Sequence, residues 1–233
     1  MILQIDITKL ERLGRDFFKP DVVTVAKALI GAFLVTVDNR GNLTGGKIIE
    51  TEAYDETDPA AHCHPSADRR RFGRCGSMRM EGGHAYVYSY RINVPHDEKQ
   101  QMWCLNFSCD REGFGSAVLI RALEPVWGPE MMQERRVKGI IGAGGEGKEL
   151  QGPNYVKHLC NGPAKLCEAI GVAFDLDGKS LFDPPFELYD REDIPRIVCG
   201  PRVGVTKSPD APRRRVEVHQ HVQSVPALSG SWV

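Results

Sequence analysis

The sequence predicts an α+β fold with a largely antiparallel sheet in a single domain. Segments with strand patterning outnumber helical ones, and they follow one another without regular βαβ alternation. The helical segments are short, and two of them stop at a glycine, Gly31 and Gly171. No linker divides the 233 residues, and that length can bury a sizeable core in one domain. There is no internal repeat.

Asp21 is the predicted N-cap of a helix over Val22–Ile30. Ala32–Asp38 reads as a strand, Asn39-Arg40-Gly41-Asn42 as a turn, and Lys47–Tyr54 as the return strand. Asp55–Gly83 is polar, arginine-rich and irregular, whereas Ala85–Tyr90 and Ser116–Leu123 have strand character. Pro129–Arg136 is predicted as a short helix with proline in its first turn. The glycine-rich segment Gly139–Gly152 is expected to be a mobile loop, and Asn161-Gly162-Pro163 to open a helix over Ala164–Ile170. Late strands are expected at Phe186–Tyr189, Ile197–Val205 and Val216–Val218.

The 30 Lys and Arg balance 31 Asp and Glu, a net charge of −1. That total counts against a protein that coats nucleic acid by bulk charge. Seven scattered cysteines, an odd number, predict reduced thiols in a cytosolic or nuclear compartment rather than a disulfide framework. Lys27 and Gly31 break the apolar stretch Val22–Val37, which falls short of the ~20 residues of a membrane span. Met1–Leu10 carries Asp6 and Lys9 and does not read as a secretory signal.

Five segments have the residue types that chemistry needs. In Lys47–Tyr54, strand alternation puts Glu50, Glu52 and Tyr54 on one face. Glutamates are depleted in strands, so two on one face either do a job, such as activating water, or pair with arginine or solvent. Tyr86, Tyr88 and Tyr90 recur at period 2. They form either an aromatic platform for a stacked base or a sheet face packed on a helix. Arg69, Arg70, Arg71, Arg74 and Arg79 cluster near His62-Cys63-His64. They form either a phosphate-binding patch or a solvated loop, and the spacing is poor for zinc. Gly142–Lys148 matches a phosphate-loop spacing, but Glu149 stands where Ser or Thr would hold magnesium. Gly162-Pro163-Ala164-Lys165 begins a helix whose free N–H groups either hold a phosphate or are simply capped.

The order and spacing of these segments resemble the alkyladenine (3-methyladenine) DNA glycosylase family of the methylpurine type. The likeness runs from Leu13 to about Val205. It takes in Ile49–Tyr54, Ala60-Ala61-His62, Tyr86-Val87-Tyr88, Cys104-Leu105-Asn106, Leu119–Pro125, Arg135-Arg136, Gly162–Cys167 and Arg202–Val205. It implies one DNA glycosylase domain over residues 1–233 with a curved sheet, the methylpurine-glycosylase (formyltransferase C-terminal-domain-like) fold. It further implies a monomeric, monofunctional base-excision-repair hydrolase without metal or organic cofactor. Such an enzyme flips an alkylated or deaminated purine out of double-stranded DNA and hydrolyses its N-glycosidic bond. The lesions are of the 3-methyladenine, 7-methylguanine, hypoxanthine and ethenoadenine class. The expected compartment is the cytoplasm (nucleoid) of a prokaryote or the nucleus of a eukaryote.

By the same resemblance, Glu52 activates the water, and Tyr54, His62 and Tyr88 enclose the base. Asn106 discriminates against the guanine amino group, and Arg121 is an active-site arginine. Tyr90 is the candidate for the wedge that fills the gap in the duplex, with Ile92 as the alternative. Arg71, Arg74, Lys165 and Arg202 are candidates for the DNA backbone. The sequence departs from the family pattern at Ser89–Ile92, in an insertion over Asn93–Gln101, and in Arg71–Arg79. A DNA-lesion-binding relative with weak or no activity is the alternative these departures raise. A basic face, rather than a basic whole, reconciles DNA binding with the neutral total.

Overall fold

The computed structural model describes residues 5–66, 75–93, 99–200, 202 and 217–220. Its strands are β1 (Phe33–Val37), β2 (Leu43–Asp55), β3 (Ala85–Asn93), β4 (Lys99–Ser108), β5 (Ser116–Trp127), β6 (Phe186–Tyr189), β7 (Ile197–Gly200) and β8 (Glu217–Gln220). They form one sheet in the order β3-β4-β5-β2-β1-β6, with β8 pairing both β2 and β7. All pairings among these strands are antiparallel. The sheet curls into a half-barrel, and short helices surround it, as the sequence predicts for an α+β fold.

The helices are α1 (Val22–Leu29), α2 (Pro129–Gly142), α3 (Val156–Leu159) and α4 (Pro163–Ile170). Asp21 caps α1 as expected, accepting from the N–H groups of Val23 at 3.0 Å and Thr24 at 3.1 Å. Val22, Val25, Ala26 and Leu29, spaced along one helix face, are buried. The Thr51 hydroxyl donates to the Ala26 carbonyl at 3.0 Å and ties α1 to β2. Between β1 and β2, the Asp38 carboxylate accepts from the backbone N–H groups of Arg40 and Asn42 and closes the predicted turn. Gly45 and Gly46 let the neighbouring strands close in. A Cβ there would lie 2.2 Å from the Leu34 carbonyl oxygen or 2.0 Å from that of Glu124. Leu34, Ile48, Leu105, Phe107 and Ile120 of the sheet meet Leu29, Leu166 and Ile170 of the helices in the main core.

Two expectations need correction. The helix predicted over Pro129–Arg136 continues to Gly142, through Gly139, the first residue of the expected loop. A Cβ on Gly139 would lie 1.3 Å from Oε1 of Glu168 on α4, so a side chain there requires that carboxylate to shift. Residues 143–147 are irregular, as expected, and a short turn follows them. A 3-10 turn over Lys148–Leu150 buries Leu150 completely, and Gln133 Nε2 donates to its carbonyl at 2.6 Å. The second correction is β4, which the polar run before Cys104 concealed. The two ends of the insertion belong to β3 and β4, with Asn93 opposite Lys99 and Arg91 opposite Gln101, and residues 94–98 lie outside the described residues. Of the strand expected over Ile197–Val205, Ile197–Gly200 is strand, and residues 201 and 203–205 lie outside the described residues. Among the described residues, no helix is long and apolar enough to cross a membrane.

Candidate active site

Opposing bulges in β2 and β5 build the charged end of the site. The ladder pairs Ile48 with Leu123, Glu50 with Ala122, and Thr51 with Ile120. Ile49 and Arg121 are therefore the extra residues, one on each strand. Bulges re-aim side chains, and this one lets a single guanidinium serve two carboxylates. Arg121 Nε donates to Oε1 of Glu50 at 2.9 Å, and its Nη1 donates to Oε1 of Glu52 at 3.1 Å. Beyond the bulge the ladder is regular through Glu52, Ala53 and Tyr54. The Tyr54 hydroxyl donates to the other oxygen of Glu52, Oε2, at 2.8 Å. The Glu52 side chain is only 2% exposed and holds these two partners at its inner end.

Next to this network lies a cleft lined by Tyr54, Ala60, Ala61, His62, Met78, Tyr86, Tyr88, Asn106 and Ala117. It holds about 370 Å³ of space free of protein atoms, its open mouth included. The His62 and Tyr88 rings meet edge to face with centroids 4.6 Å apart, and Tyr86 and Tyr88 are tilted at 5.5 Å. His62 Nδ1 and the Tyr86 hydroxyl share a hydrogen bond of 2.5 Å. Asn106 Nδ2 donates to the Tyr86 carbonyl at 3.0 Å, which anchors its amide in the cleft. Burial, followed by the Glu52 charge, raises the Tyr54 phenol above its ordinary value. Burial, followed by Cys104, raises that of Tyr88. Both stay neutral at physiological pH, and Tyr54 is a permanent donor to Glu52.

Of the residues singled out from the sequence, Tyr54, His62, Tyr88 and Asn106 thus line one cleft. Glu52 and Arg121 are not among its lining residues and connect to it through Tyr54. Lys165 lies at the start of α4, half-buried, and burial followed by the nearby Arg136 lowers its pKa. Arg202, expected at the DNA backbone, is placed elsewhere: its side chain is fully buried. Its guanidinium pairs with Asp58 at 2.5 Å, donates to the Ala53 carbonyl at 3.2 Å and sits 4.4 Å from the Tyr54 ring centroid. Arg79 is paired with Glu56 at 3.2 Å. Arg71 and Arg74 lie outside the described residues, as does the side chain of the wedge candidate Tyr90, whose backbone belongs to β3. Lys148 of the phosphate-loop lookalike pairs with Glu146.

The sequence reading missed Met78, Ala117 and Asp58. Met78 and Ala117 are apolar wall, and no residue pattern marks such positions. Asp58 has significance only through Arg202, which is 144 positions away in the chain. Among the described residues, no group of three or more His, Cys, Asp or Glu is placed to hold a metal ion.

A family model described as methylpurine-DNA glycosylase matches residues 16–220 of the chain. Curated proteins named "Putative 3-methyladenine DNA glycosylase" are similar over most of their length. The one from Nitrosospira multiformis is 39% identical over 84% of this chain and 86% of its own. One from Rhodopseudomonas palustris is 40% identical over 87% and 85%, respectively. The Rhizobium etli protein is 39% identical over 86% and 82%.

Proposed function

Because the chain belongs to the methylpurine-DNA glycosylase family, whose members are hydrolytic DNA-repair enzymes, we propose that its cleft receives a damaged purine flipped from duplex DNA and that Glu52 directs water onto the glycosidic carbon. The observation that carries this reading is the join between cleft and carboxylate. Tyr54 forms part of the cleft wall and donates its hydroxyl to Glu52.

The chemistry follows from these parts. Departure of the base leaves oxocarbenium character on the sugar, which a fixed carboxylate stabilises and to which it delivers water. Arg121 and the Tyr54 hydroxyl hold both oxygens of Glu52, so the carboxylate is oriented before the base arrives. The Tyr54, Tyr88 and His62 rings provide flat surfaces for a purine, and tyrosine faces attract the cationic 3-methyladenine and 7-methylguanine. Such bases are already good leaving groups, so one carboxylate suffices for them. Neutral hypoxanthine and ethenoadenine depend more on their own protonation. The reaction is hydrolysis by a monomer and leaves an abasic site without strand cleavage.

The test is to incubate the protein with duplex oligonucleotides carrying hypoxanthine, ethenoadenine or 7-methylguanine and then to cleave abasic sites with alkali. Strand breaks that appear only after alkali support the reading. DNA binding with no base release from any duplex contradicts it and identifies a lesion-binding protein.

A further inference from the structure

Arg202 is the best-built feature that the mechanism above leaves unused. Its guanidinium stands 4.4 Å from the centroid of the Tyr54 ring, yet it is absent from the cleft wall and its side chain is wholly buried. Arg202 thus lies over the ring of a residue that lines the cleft. Asp58 pairs with it at 2.5 Å, and Asp58 is itself buried. Its donation to the Ala53 carbonyl fastens it to β2 between Glu52 and Tyr54. Three contacts thus hold a permanent cation over a ring that forms part of the cleft wall.

We propose that Arg202 is a positioning and specificity-determining residue that, through Tyr54, biases the cleft toward neutral purine lesions over cationic ones. The proposal rests on the reading that the flipped base stacks on Tyr54. A cation on one face of an aromatic ring draws its electron density and weakens the attraction of the opposite face for a second cation. Two like charges in contact with one ring also repel in a site with little water. A neutral base loses neither term and keeps the full stacking contact. Asp58 offsets part of the Arg202 charge, so the acid moderates the bias that the arginine creates.

The experiment measures single-turnover release of 7-methylguanine and of hypoxanthine from otherwise identical duplexes, and takes the ratio of the two rates. Each ratio comes from one preparation, so the folded fraction cancels. Replacing both partners, Arg202→Met with Asp58→Asn, leaves no uncompensated buried charge. The ratio of 7-methylguanine to hypoxanthine release is expected to rise about fivefold. Asp58→Asn alone leaves the arginine charge unmoderated, so its ratio is expected to fall below that of the wild type. Opposite movements from the two variants are a pattern that a merely structural role does not produce. Ratios equal to wild type in either variant, with both rates scaled together, overturn the proposal and leave the glycosylase reading standing. A wild-type protein that releases neither base overturns that reading, and this inference with it.

Discussion

The Tyr54 hydroxyl donates to Oε2 of Glu52 at 2.8 Å, so one residue both borders the cleft and holds the carboxylate behind it. Tyr54→Phe keeps the ring and removes only this bond. Release of hypoxanthine in single turnover is expected to slow about tenfold, as for a hydrogen bond to a charged group, while affinity for the lesion duplex is unchanged. A loss of affinity equal to the loss of rate would place the hydroxyl in base binding instead.

Arg121 compensates two buried or half-buried carboxylates at 2.9 and 3.1 Å. Arg121→Met leaves both without that cation and is expected to cost about 3 kcal/mol of unfolding free energy. Urea unfolding of the wild type and the variant measures this. Glu50→Gln removes the charge of one carboxylate of the pair and is expected to cost less activity than Glu52→Gln, since Glu52 joins Arg121 to Tyr54.

The pattern Glu50, Glu52, Tyr54 was legible because strand alternation survives from Glu52 to Tyr54 in the folded ladder. How Arg121 meets both glutamates was not legible. That depends on two bulges, and neither residue composition nor alternation announces an extra residue. Arg202 shows the same limit from another side. The sequence made it a candidate for the DNA backbone, and only packing of distant segments reveals the cage of Asp58, Ala53 and Tyr54. The start of the loop expected over Gly139–Gly152 is helix instead, to Gly142, because glycine has two uses, turning a chain and admitting a neighbour. Gly139 serves the second.

That use makes a prediction of unusual sign. An interior helical Gly→Ala change normally stabilises by about 1 kcal/mol. At Gly139 the new methyl collides with the Glu168 carboxylate, which is paired with the buried Arg136. Gly139→Ala is therefore expected to lower the thermal midpoint, and a rise would show that Glu168 moves aside without loss.

The cysteines give a pH dependence. Burial raises the thiol of Cys104 to about 11 and those of Cys109 and Cys160 to about 12, from an ordinary value of 9.0. The folded state holds these protons longer than the unfolded chain does. Their stabilising contribution is complete below pH ~9 and is lost progressively as the pH rises toward the folded values. The urea midpoint is expected to fall between pH 8.5 and 10.5 on this account, and to fall less steeply in Cys160→Ala. Of the seven cysteines only Cys199 is exposed, so a thiol reagent at neutral pH should modify one site quickly and the rest only on unfolding.

Glu52 carries the central claim, and Glu52→Gln measures it most directly in single turnover on a hypoxanthine duplex, with binding followed in parallel. The account predicts a fall in base release of about 10²–10⁴-fold, the range of a lost general base, with lesion binding retained. Release within about threefold of the wild type would contradict it, since no general base in the 10²–10⁴-fold range is lost so cheaply.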